Sequence, residues 1–151
     1  MNIVGMYQVS SLLGRSGDSL KMITREERIA EVNASDADPR EKSQQLMTAN
    51  SRLEICDDGK IYSYAPIPEG VPADQIQAAV DAGQVLKVKD GYCVFGKGDV
   101  YDWKEEDGKF FYDTRQTREI LGEAVSPWDD LKFDGTHVTF AEGFVIYEKI
   151  N

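Results

Sequence analysis

Apolar and polar residues alternate one by one through several stretches of the chain, among them Gly5-Met6-Tyr7-Gln8-Val9, Arg52-Leu53-Glu54-Ile55 and Tyr101-Asp102-Trp103-Lys104. A period of two is that of a strand with one face against a core, so Tyr7 and Val9 share a face, as do Tyr101 and Trp103. Four Asp-Gly pairs, at 58–59, 90–91, 107–108 and 134–135, separate runs of this kind. A tight turn between right-twisted strands wants positive φ, which glycine adopts without a steric penalty and aspartate tolerates. The pattern therefore predicts hairpins over 52–64, 85–95 and 100–114, and a closing one from 131 to 150 with a further reversal at Glu142-Gly143. The first strand is expected over 4–11, ending in a polar turn at 14–17. Residues 115–121 are expected to continue as a strand, and 122–130 to form a loop.

Helical signals are fewer. Thr24-Arg25-Glu26-Glu27 is a capping box, whose hydroxyl and carboxylate satisfy the free amides of a helix start. Ile29 and Val32 supply that helix with a narrow apolar stripe. Asp38-Pro39-Arg40-Glu41 then gives a second cap with proline at the first helical position, and Leu46 and Met47 are its expected buried side. Pro66, Pro68, Gly70 and Pro72 take the chain out of the sheet, since proline cannot donate to an interior ladder. A third helix is predicted over 74–82, carrying Ile76, Ala79 and Val80 and stopped at Gly83. The sum is a mainly β, single domain over 1–151: an antiparallel up-and-down β-barrel of about nine or ten strands, with two short helices after the first strand and one further helix. Closing into a barrel is the simplest way for a long meander to protect its edges.

Composition narrows the partners. A net charge of −10 and a pI near 4.5 repel phosphate backbones and anionic lipid surfaces, so neither nucleic acid nor membrane is expected as a partner. No apolar run approaches the roughly 20 residues of a membrane span. Residues 1–5 lack the basic segment and apolar stretch of a secretory signal, and a cytoplasmic location is expected. Cys56 and Cys93 sit among strand formers and are expected as buried free thiols; a disulfide requires their strands to meet. Two cysteines and the single His137 do not build a metal site. The acidic runs at 57–58 and 105–107 lack the spaced oxygen ligands of a calcium loop. His137 has no recognisable nucleophile or orienting partner, so no catalytic constellation, enzyme activity or cofactor is expected.

The two ends of the chain resemble the calycins, the superfamily of lipocalins and intracellular fatty-acid-binding proteins. Val4-Gly5-Met6-Tyr7 is similar to the family's first strand, with Tyr7 where the family has tryptophan. The order of one strand, two short helices and then Leu53-Glu54-Ile55-Cys56-Asp57-Asp58-Gly59-Lys60-Ile61 is similar to the helical lid and second strand of the fatty-acid-binding branch. Phe133-Asp134-Gly135 through Ile146-Tyr147-Glu148-Lys149 resembles that branch's last hairpin. The match covers about a third of the chain and implies a closed barrel that carries a ligand. Where that branch places a carboxylate-holding arginine, two residues before the closing tyrosine, this chain has Val145.

The candidate interior rings are Tyr101, Trp103, Phe110, Tyr112, Phe133, Phe140 and Tyr147. For a ligand, Tyr7, Tyr62, Tyr64, Tyr101, Trp103, Tyr112 and Tyr147 offer rings and polar tips. Arg115 offers a guanidinium fork suited to an anionic group, with Arg118 on the opposite face of the same segment. The expected function is non-enzymatic binding of a small, largely apolar ligand inside the barrel. The alternative is a protein-interaction or structural module with a filled interior, its protein partners unknown. An interior either packed solid or holding one small molecule is compatible with a barrel of this size.

Overall fold

A computed structural model describes residues 2–16, 19–68, 70–116 and 118–150. The strands are β1 (Gly5–Ser16), β2 (Ser19–Thr24), β3 (Arg52–Ile55), β4 (Lys60–Pro66), β5 (Val85–Lys89), β6 (Tyr92–Phe95), β7 (Tyr101–Glu106), β8 (Lys109–Asp113), β9 (Arg118–Ile120), β10 (Glu123–Val125), β11 (Trp128–Phe133), β12 (His137–Phe140) and β13 (Val145–Lys149). Three helices join them: α1 (Arg25–Ala34), α2 (Pro39–Ala49) and α3 (Ala73–Asp81).

Eight strands close into an antiparallel barrel in the order β1, β3, β4, β7, β8, β11, β12, β13. The join is made by β1, which pairs with β13 on one side, Val9 opposite Tyr147, and with β3 on the other, Tyr7 opposite Leu53. The register of β1 against β13 shifts between Val9 and Ser11, a bulge that bends the long first strand. The remaining strands lie outside the ring. β2 pairs with the far half of β1, β6 with the last residues of β4, β5 with β6, and β9 with β10 as a separate two-stranded ribbon.

The lower end of the barrel holds Asn2 to Val4, the C-terminal residues of β13 and three turns that use Asp-Gly. At Asp107-Gly108 both residues have positive φ, 55° and 79°, as they do at Asp90-Gly91 in the side hairpin, 51° and 80°. At Asp58-Gly59 and Asp134-Gly135 only the glycine does, with φ of 83° and 102°. There the aspartate holds the turn with its side chain: Asp58 Oδ1 accepts from the amide of Lys60 at 2.9 Å, and Asp134 Oδ1 from Thr136 and His137 at 2.9 and 2.6 Å. Turn geometry and side-chain bonding are thus two uses of one dipeptide.

Long excursions leave the opposite, upper end. The first contains β2, α1 and α2; the second α3, β5 and β6; the third β9 and β10. The expected polar turn at 14–17 is not found at 14–16: β1 runs on to Ser16, which pairs with Ser19 of β2, and residues 17 and 18 lie outside the described residues. The expected strand over 115–121 is instead a loop followed by β9, and the expected loop over 122–130 contains β10 and the start of β11. Residue 117 lies outside the described residues.

Both expected helix caps form. Thr24 Oγ1 accepts from the amide of Glu27 at 3.1 Å while Glu27 Oε1 accepts from the amide of Thr24 at 3.2 Å. Asp38 Oδ1 accepts from the amides of Arg40 and Glu41 at 2.9 and 3.0 Å. α1 packs on β1 and β2, and α2 on β4. Val32 and Ala49 are the fully buried positions of the pair. Leu46 and Met47, expected to be buried, are only half-buried because they border open clefts.

Candidate functional site

Directly opposed residues in a ladder share a face, so the register identifies the interior. Tyr7 faces Leu53, Ile55 faces Ile61, Ile61 faces Tyr101, Trp103 faces Tyr112, Phe110 faces Leu131, Leu131 faces Phe140 and Val138 faces Tyr147. These residues form one continuous core. Its lower half is packed and polar-satisfied. Ile3, Tyr7, Ile55 and Val138 are buried there. The Tyr7 hydroxyl donates to the Ile3 carbonyl at 2.6 Å, and Trp103 Nε1 to the Cys56 carbonyl at 2.7 Å. Tyr7 stands edge-on to Phe133 with centroids 6.4 Å apart, and Phe133 edge-on to Phe110 at 6.0 Å, separations at which aromatic quadrupoles attract. Burial pushes the Tyr7 phenol up to about 12. With their polar tips held by the chain's own backbone, Tyr7 and Trp103 act here as packing groups.

The upper half contains Tyr101, Tyr112, Phe140 and Tyr147. Phe140 lies edge-on to Tyr112 at 4.8 Å and to Tyr147 at 6.0 Å. The Tyr112 hydroxyl donates to Glu142 Oε2 at 2.9 Å, and burial followed by that carboxylate holds its phenol well above the usual value. Burial first, and then the Glu142 charge, push the Tyr147 phenol up to about 12. Arg115, at φ +58°, lays its guanidinium over the Tyr101 ring at 4.5 Å and donates to the Gly98 carbonyl. It closes the start of β7 against the end of β8. The side chain of Arg118 lies outside the described part of the chain.

Tyr62 and Tyr64 alternate with Ile61 and therefore face outward, opposite Glu54 and Arg52. The Tyr64 hydroxyl donates to Glu54 Oε1 at 2.6 Å, and the Arg52 guanidinium covers the Tyr92 ring at 4.5 Å. This is a packed outer wall, distant from the interior by construction. Cys56 and Cys93 are free, and burial leads the causes that push the Cys56 thiol up to about 11. Thiols held protonated are poor nucleophiles. His137 sits between Asp134 and Glu148, at 3.3 and 3.4 Å, on the outside of the lower end. Among the described residues no group of three or more metal-binding side chains occurs.

The space suited to a ligand lies at the upper end, where the second excursion leaves the ring. Pro66 and Pro68 end the ladder of β4, and Gly70, at φ +82°, turns the chain toward α3. α3 returns over the β5–β6 ribbon. Between Met47 of α2, Ile67, Ile76 and Ala79 of α3, and Val85 and Phe95 of the ribbon is a cleft of about 240 Å³ with mainly apolar walls. Its floor continues the inner face of the barrel: Ala65 alternates in phase with Ile61, and Cys93 is opposite Ala65 and Phe95 opposite Val85. A second cleft of about 420 Å³ shares Met47, Pro66, Ile67 and Pro68 with the first and adds the polar Asn33, Lys42, Ser43 and Asn50. Asn50 is fixed there, its Oδ1 accepting from Arg25 Nε and Nη2 at 3.1 and 2.7 Å and its Nδ2 donating to the Leu46 carbonyl at 2.9 Å.

None of the tyrosines or the arginine singled out from the sequence lines the apolar cleft. Its wall comes from residues 47, 65–79 and 85–95, brought together only by the fold. The legible signal was the proline-rich exit from β4 followed by an amphipathic segment. The chain matches no protein-family model, and no curated protein or solved structure matches it.

Proposed function

We propose that this chain is a calycin-like, non-enzymatic binding protein that holds a small, largely apolar molecule at the helical end of its barrel. The observation that carries this reading is the cleft of about 240 Å³, whose apolar floor is an extension of the barrel's inner face and whose roof is two short helices. That volume falls short of the ~300 Å³ at which the usual range of ligand pockets begins, and the adjoining cleft supplies the further room and a polar end. Cys93 is the one nucleophilic group in the wall, and burial keeps its thiol protonated, which favours binding over chemistry. Two free cysteines suit a reducing compartment, and a cytoplasmic location is part of the proposal. No helix among the described residues is long and apolar enough to cross a membrane.

The test uses the uncharged fluorophore N-phenyl-naphthylamine. Wild-type protein is expected to enhance and blue-shift its emission, and Ala79→Trp, which fills the cleft, to weaken binding by about tenfold or more. Equal binding by Ala79→Trp overturns the cleft. Loss on Val145→Trp instead, a residue on the inner face beside Leu12, would move the ligand inside the ring. A second reading, an interaction module with a filled barrel, is favoured by the packed lower half and receives support if neither variant nor wild type binds the probe.

A further inference from the structure

Three hairpins project from the upper end of the ring: the β1–β2 ribbon, the β9–β10 ribbon and the turn between β12 and β13. They carry Leu20, Met22, Ile120, Leu121 and Phe144, five of the eight large apolar side chains that stand exposed among the described residues. Leu121 is the extreme case, 99% exposed at a ribbon tip. Its backbone is also the wrong one for its side chain. Leu121 and Gly122 have φ of 53° and 82°, the same conformation as Asp90-Gly91 and Asp107-Gly108. In those two turns the chain places aspartate, which tolerates the left-handed region. In the third it places a γ-branched aliphatic residue, which does not. In the free protein Leu121 is unfavourable twice over, by conformation and by hydration. An outlier that the fold does not require points to a role outside the fold.

The charges around the tip choose the partner. Glu119 and Glu123 flank Ile120 and Leu121, all four exposed. Arg118, the basic residue of the ribbon, pairs with Val125 at its base, away from the tip. With −10 on the whole chain, this tip repels an anionic bilayer and a second copy of itself, and steers toward a basic surface.

We propose that the β9–β10 tip anchors this protein to a protein partner that offers an apolar pocket within a lysine- and arginine-rich rim. Leu121 enters the pocket while the glutamates meet the rim. The contact is small, so it is a transient one whose energy is concentrated in the anchor.

The experiment places photo-leucine at position 121 of the full chain and irradiates it in extract of the cells that make the protein, with photo-leucine at Leu86, exposed on β5, as the reference. The expected result is one dominant adduct specific to position 121, on a peptide where apolar residues alternate with lysine or arginine, and weaker at high salt. The purified partner is then expected to bind wild type at least tenfold more tightly than Leu121→Asn, and Leu86→Asn as tightly as wild type. Asparagine accepts the turn, so Leu121→Asn is also expected to unfold at a higher temperature than wild type. An adduct on a second copy, on phospholipid, or no adduct beyond that at position 86 overturns the proposal, as does equal binding by Leu121→Asn. None of these outcomes touches the ligand cleft, which Leu121 does not line.

Discussion

The two ends of the barrel are built to different rules. At the lower end the connections are tight turns, and the interior is closed by Ile3, Tyr7 and the Phe133–Phe110 pair, with the polar tips of Tyr7 and Trp103 bonded to backbone carbonyls. At the upper end three of the four connections carry elements of their own, clefts open between them, and most of the exposed apolar side chains of the described residues sit on these connections. The lower end holds the ring shut; the upper end has the freedom to recognise something. A barrel whose strands are staggered and cross-paired can be fixed from one end, because every strand in the ring passes through it.

The largest expected effect breaks the lower end. Tyr7→Ala removes a side chain with no exposure, together with its edge contact to Phe133, and is expected to cost about 3–5 kcal/mol of stability in urea unfolding. Ile76→Ala, at a half-buried position of the upper cleft, is expected to cost less than half as much. Equal losses at the two positions would erase the distinction between a structural and a recognition end.

Turns give the next effect. Gly59 has φ +83°, and a Cβ there would meet only the Trp103 carbonyl at 3.8 Å, so Gly59→Ala isolates backbone strain from clash and is expected to cost roughly 1–2 kcal/mol. Gly98, near the upper end, has open space and no positive φ, and Gly98→Ala is expected to leave the thermal midpoint unchanged.

The same division decides what the sequence could show. The lower end was legible because its turns announce themselves through Asp-Gly and its strands through alternation, and β1 meeting β13 follows from a meander that must hide its edges. β2 was not legible, since only Ile23 in it is buried and no alternating face exists to read. The β9–β10 ribbon was missed because Leu121-Gly122 does not look like a turn, and its strands span three residues each. Tyr62 and Tyr64 were correctly placed on one face, but which face depends on Ile61 opposing Ile55 and Tyr101, a register that no single hairpin contains. The apolar cleft is further from the sequence still, because Met47, Ile76 and Phe95 are unrelated until the excursion folds back.

A smaller effect links the helices to the cleft. Asp38→Ala removes the side-chain acceptor for two amides of α2 and is expected to cost about 1 kcal/mol. Because Met47 of that helix is a cleft wall, the same variant is expected to weaken binding of N-phenyl-naphthylamine several-fold, whereas Gly59→Ala, of similar cost at the other end, is expected to leave it unchanged.

The smallest effect is nil at neutral pH and develops only in alkali. Burial raises the phenols of Tyr7 and Tyr147 to about 12, against about 10 in the unfolded chain. Below pH ~10 both states keep these protons and the groups add no pH dependence. Between pH ~10 and ~12 the unfolded chain has lost them while the folded one retains them, so stability falls as pH rises. Tyr7→Phe and Tyr147→Phe are each expected to flatten that fall when unfolding is followed by fluorescence across this range. Glu142→Gln then separates the two ends. At the upper end the Glu142 charge contributes to the rise at Tyr147, after burial, and removing it brings ionisation of Tyr147, read by tyrosinate absorbance, to lower pH. Tyr7 has burial as its one cause, with no carboxylate among its partners, and its step is expected to stay where it is. A shift of both steps together would mean that the two ends communicate through the core instead of being held independently.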